Sequence, residues 1–153
     1  LAEHLIGKHP EHVNSMGGIY ATPMLVAARR GYVDILALLI KHGVDVDSRG
    51  SYDETPLHRA LGQGKLEAGQ YLIDHGADID ACDKDGWTSL HWAIPTRNNH
   101  KQEAVRWVLE HRNDSTDVNA CDKSGESPSE MAARLGQQEI VELLSEYGAK
   151  PVM

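Results

Sequence analysis

The sequence predicts an all-α solenoid, in which helix-turn-helix units stack in single file and are joined by β-hairpin loops. Three observations predict it. Thr22-Pro23, Thr55-Pro56 and Thr88-Ser89 recur every 33 residues, and Ser127-Pro128 follows after 39. Gly31 and Gly64 keep the same interval, as do Gly43 and Gly76, and KHGVDVD (41–47) is echoed by DHGADID (74–80). Between these markers lie two short apolar-patterned segments per unit. Neither can bury its own stripe, so each unit must lean on the next.

The elements follow in order. LIGKHPEHVN (5–14) stands in register with LIKHGVDVD (39–47), so Leu1–Asn14 reads as the second half of a unit. The chain then starts in mid-helix, and is expected to be part of a longer protein. In the next unit the Thr22 hydroxyl caps a free backbone N–H, and Pro23 suits the first helical position. PMLVAARR forms a short helix that Gly31 ends in a left-handed conformation. YVDILALLIKHG forms the second, with Val33, Ile35, Leu36, Leu38, Leu39 and Ile40 in one broad apolar stripe. An extended polar stretch with a turn such as Lys84-Asp85-Gly86 leads to the next cap.

The third unit is six residues longer, with three extra residues near Arg97–His100 and three near Asn113–Thr116. Both fall in loops, where added length costs little entropy. The last unit places Ser145 where Ile40, Ile73 and Leu109 stand earlier, as a solvent-facing end unit would. The expected division is one domain over 1–153, with units at about 1–20, 21–53, 54–86, 87–125 and 126–153.

Composition narrows the function. The 153 residues carry a net charge of −8, which disfavours a nucleic-acid binder. No apolar run approaches a membrane span, the longest being Val33–Ile40. With only Cys82 and Cys121, neither a disulfide scaffold nor a CxxC zinc site is available. A reducing, intracellular location is expected, cytoplasmic with the nucleus compatible. Equivalent positions in adjacent units lie about 8–10 Å apart, too far for a disulfide, so both thiols are expected to be free.

DKDGWTSLHWA (83–93) brings Asp83, Ser89 and His91 close together, as a small hydrolytic site does, but each fits a turn, a helix start or a packing position. No HExxH, P-loop or GxSxG is present, and Gly62-Gln63-Gly64 alone is no phosphate loop. Asp78–Gly86 fails as a calcium loop, because Ala81 and Trp92 would occupy the first and last ligand positions. His4, His9 and His12 lack metal spacing, while His42, His75 and His111 sit where an imidazolium complements a helix C-terminus. No enzyme, metal or cofactor is expected.

The same stretch resembles the ankyrin-repeat signature D-x-x-G-x-T-P-L-H-x-A at Asp83, Gly86, Thr88, Leu90, His91 and Ala93. ETPLHRA (54–60) and GADID (76–80) repeat parts of it, and the resemblance spans about four units plus a leading half. It implies a module that binds another protein or peptide, monomeric in isolation, with a structural spacer or regulatory domain of a larger protein as the alternative. It also implies that His58 and His91 tie adjacent units, a role missing where Leu25 and Glu130 take their place. Asn119 in DVNA, and more loosely Asn14, fit the family's hydroxylation position.

By the same resemblance, contacts fall on the hairpin tips and first-helix ends of the concave side. The tips carry Ile19, Ala21, Ser51, Tyr52, Glu54, Lys84, Asp85, Trp87, Lys123, Ser124 and Glu126. The helix ends carry Arg29, Arg30, Gln63, Thr96 and Arg134, with Arg59 and Trp92 edging onto the same face. Tyr52, Trp87, Trp92, Arg29 and Arg30 stand out, since aromatic and Arg side chains dominate interface energetics. Trp107, at the register position of Leu38 and Tyr71, is expected to pack in the core.

Overall fold

The computed structural model describes residues 22–96 and 100–152. Residues 1–21, with the leading half unit and His4, His9, His12, Asn14, Ile19 and Ala21, and most of the first insertion lie outside the described residues.

Among the described residues eight helices run in four pairs: α1 (Pro23–Arg30) with α2 (Val33–Lys41), α3 (Pro56–Leu61) with α4 (Leu66–Asp74), α5 (Ser89–Ala93) with α6 (Lys101–His111), and α7 (Pro128–Arg134) with α8 (Gln138–Glu146). The first helices form one row, α1 on α3 on α5 on α7. In the second row α2 packs on α4 and α6 on α8. The chain is an all-α repeat solenoid. Each hairpin closes through a backbone bond, Gly50 N to Glu54 O, Asp83 N to Trp87 O and Asp122 N to Glu126 O, with a turn bond inside it from Asp53 N to Gly50 O, Gly86 N to Asp83 O and Gly125 N to Asp122 O, and among the described residues no ladder extends into a strand.

Three of the four described first helices open with a hydroxyl cap, as their sequence dictates. Leu25 N donates to Thr22 Oγ1, His58 N to Thr55 Oγ1 and Glu130 N to Ser127 Oγ, all at 3.3 Å. Pro23, Pro56 and Pro128 take the first helical positions. Gly31 (φ 76°) closes α1, and its N–H returns to Ala27 and Ala28 carbonyls.

The core is one continuous cluster along the file. Leu36, Leu57, Leu61, Leu72, Ile94, Val105, Leu109 and Leu144 are among its fully enclosed side chains. Each such burial contributes roughly 1.5–3 kcal/mol. Trp107 is half-buried against this core, and its ring lies over Gly69 of α4. The end unit is open outward, with Ser145 and Leu135 exposed.

The histidine ties form where expected. Thr55 N donates to His58 Nδ1 (3.1 Å), and the opposite nitrogen meets Ala81 O at 3.0 Å. Thr88 N donates to His91 Nδ1 (3.2 Å), and His91 Nε2 meets Glu126 O at 3.1 Å. Because Nδ1 accepts in both, the proton sits on Nε2 and both rings are neutral. Burial lowers the His58 pKa to about 4 and moves His91 the same way. Leu25 is simply buried, and the Glu130 carboxylate turns back to Ser127 N and Oγ. His75 and His111 each place Nδ1 against the carbonyl four residues earlier, at 2.7 and 2.8 Å. Among the described residues no three metal-ligating side chains converge, and no helix is long and apolar enough to cross a membrane.

Candidate protein-docking face

Successive hairpin tips are joined through backbone groups. Lys84 N donates to Tyr52 O and Lys123 N to Asp85 O, both at 2.9 Å. Arg49 Nη1 adds bonds to Asp53 O and Cys82 O at 2.7 Å. Gly86 permits the approach. It takes φ 81°, and a Cβ there would come within 3.0 Å of Lys123 N. Since main chain holds the tips together, the tip side chains are left outward.

Tyr52 is half exposed, with Lys84 Nζ 3.9 Å from its ring centroid. Lys84, Asp85, Lys123 and Ser124 are exposed beside it, as are Arg29, Arg30 and Gln63 at the first-helix ends. Behind the tips an aromatic line crosses two layers. Arg59 Cζ lies 5.5 Å from the Trp92 ring, Trp92 stacks on His58 (5.7 Å), and Trp87 meets Trp92 edge-on (6.1 Å). Gly62 leaves room for this, because a Cβ there would come 3.1 Å from the Trp92 ring.

Four expected contact residues are placed differently. Glu54 is fully buried. Its carboxylate accepts from Tyr52 N (2.9 Å) and from Arg59 Nε (3.1 Å), so it supports the tip from behind. The reason lies at position 50. Asp83 and Asp122 hold their own turns, accepting from Asp85 N and Trp87 N and from Ser124 N and Glu126 N. Gly50 occupies their register position and has no carboxylate. A Cβ there would sit 2.5 Å from that of Glu54, which has moved into the vacated space. The signal was present in the sequence, in GSYD (50–53) set against DKDG and DKSG.

Thr96 is buried too, its hydroxyl shared between Ala93 O (2.6 Å) and Leu61 O (3.3 Å). Trp87 is only half-buried, but packs on the core and donates from Nε1 to Asp122 Oδ2 (3.2 Å). Trp92 Nε1 donates to Asp83 Oδ2 (3.0 Å). Neither indole is a free surface group.

On the opposite edge, equivalent positions carry a second ladder. Asp47 accepts from Asp78 N, Asp80 from Thr116 Oγ1 and Asn113 Nδ2, and Asn119 from Lys150 N. The second insertion thus docks on the preceding layer, and Asn119 is already engaged. Burial raises the Asp47 pKa. Cys82 and Cys121 are free, exposed thiols.

A family model described as ankyrin repeats (3 copies) matches residues 1–83 and again residues 70–153. A search of curated proteins finds no match.

Proposed function

The chain belongs to the ankyrin-repeat family, and from that premise we propose that it docks a partner protein or peptide along its hairpin tips and first-helix row. Ankyrin repeats are in general protein-interaction modules and typically non-enzymatic. The tip geometry carries the reading for this chain. Main-chain bonds hold successive tips in line, so Tyr52, Lys84 and Asp85 are spared for outside contacts. Tyr52 has the character of an anchor, a large amphipathic ring with few rotatable bonds. The chain is proposed to act as a monomer inside the cell.

Capture from source-cell extract tests this, comparing the natural chain with Tyr52→Ala and Lys84→Ala. Both side chains lie outside the core, so the thermal midpoint should hold within a few degrees while captured partner falls about tenfold. Trp87→Ala is unsuitable, since it also removes core contacts and the Asp122 bond. Full retention of partner by both variants would overturn the docking reading and leave the spacer role.

A further inference from the structure

The corners between paired helices hold an unexplained cluster of charge. Arg29 and Arg30 end α1, Tyr32 precedes α2, and Gln63 and Lys65 form the equivalent corner of the next layer. These five residues line one open pocket of about 340 Å³. Three are cations and none is a carboxylate. Among the described residues, neither Arg29, Arg30 nor Lys65 has an ion pair or side-chain hydrogen bond. That is unusual in a chain with 23 acidic residues against 15 basic ones. The Lys65 stem runs across the first corner, where a Cβ on Gly31 would come within 3.1 Å of Lys65 Cδ.

The molecule itself shows what an arginine at this register position does when an oxyanion is in reach. Arg134 follows Ser127 by the interval at which Arg29 follows Thr22. Arg134 grips Glu126 with both arms of its guanidinium, Nε to Oε1 at 2.6 Å and Nη2 to Oε2 at 2.8 Å. The residue at the Glu126 position before α1 is Ala21, which offers no carboxylate. The fork of Arg29 therefore lacks the partner that Arg134 has, and Arg30 and Lys65 add charge beside it.

We propose that the Arg29–Arg30–Lys65 pocket receives an oxyanion carried on a side chain of the partner polypeptide, a carboxylate or a phosphate, in the way Glu126 is received by Arg134. Planar guanidinium forks match both groups bidentately. The Tyr32 hydroxyl supplies a further donor along the wall. The site is small and local within a strongly acidic molecule, so it suits one charged side chain better than a polyanionic nucleic acid. The inference rests on the reading that the chain docks a protein.

The test titrates the isotope-labelled chain with three capped tripeptides that differ only in a central phosphoserine, glutamate or serine. The Arg29 and Arg30 Nε–H signals should shift saturably with the first two and not with serine. The phosphoserine peptide should bind more tightly, and shifts with it alone would narrow the class to phosphate. Arg29→Gln with Arg30→Gln should weaken binding about tenfold or more. Lys65→Gln should weaken it less, and Arg106→Gln, at an exposed position of α6 outside the pocket, not at all. Circular dichroism checks that each variant is folded. The absence of saturable shifts at millimolar peptide, or equal shifts in the double variant, would overturn the proposal. Arginine-dependent sedimentation with phosphatidylserine vesicles, without peptide binding, would overturn it in favour of a lipid headgroup. In the extract capture, a partner lost by Tyr52→Ala but kept by the arginine variant sinks this inference and leaves the docking reading standing. A partner kept by both sinks the two together.

Discussion

At the scale of single residues, the exchange between Gly50 and Glu54 shows how a repeat tolerates losing a signature side chain. The turn needs one carboxylate behind it, and either position can supply it. Glu54→Ala should cost about 1–3 kcal/mol, because Tyr52 N–H and the Arg59 guanidinium lose a buried acceptor. Gly50→Asp alone should also destabilise, since its Cβ meets the Glu54 carboxylate. The double variant should recover most of the loss by rebuilding the turn seen at Asp83. Urea melts of the four proteins measure this as a coupling energy, and simple additivity would refute the exchange. The burial of Glu54 was not legible at its own tip, because the missing side chain at position 50 sets it. His58 and His91 were legible because their neighbours repeat; Thr96 was not, since the insertion blurs the register just after it.

At the scale of elements, caps and glycines were readable and interlayer packing was not. The hydroxyl and proline that open α1, α3 and α7 act within one helix, so local sequence suffices. Whether Trp87 stays free depends on Asp122, a residue one layer away. The bed of Trp107 is likewise set by another element. Gly69 lies inside α4, where glycine costs about 1 kcal/mol relative to alanine. A Cβ there would rest 3.6 Å from the Trp107 ring and 3.7 Å from Leu57, ordinary contact distances. Gly69→Ala should therefore stabilise the chain by about 1 kcal/mol and raise its thermal midpoint by a few degrees. A lower midpoint would show that Trp107 needs the glycine.

At the scale of the whole molecule, the file of layers is acid-sensitive in its middle. His58 and His91 each accept at Nδ1 from the helix start and donate from Nε2 to a carbonyl near the next layer. Protonation at Nδ1 replaces the acceptor with a second donor and loses the bond. The His58 pKa is lowered from 6.5 to about 4, so the neutral ring's contribution is present above pH 6.5 and is lost as pH falls toward 4. Stability should drop by about 2 kcal/mol between pH 7 and pH 5 from this group, with His91 acting in the same direction. Glu126 and Glu130, whose pKa values are lowered by Arg134 and by Ser127 respectively, lose their contributions only below 4.5, their ordinary value. Urea midpoints at the two pH values should separate for the natural chain and lie closer together for His58→Gln, in which His91 still titrates; equal separation in both would refute the assignment.

The main-chain stitching of the hairpin tips has an engineering consequence. Tyr52 O, Lys84 N, Asp85 O and Lys123 N are present whatever side chains those positions carry. A randomised library confined to positions 52, 84, 85, 123 and 124 would therefore yield mostly soluble clones, and selection could retarget the surface without redesigning the scaffold.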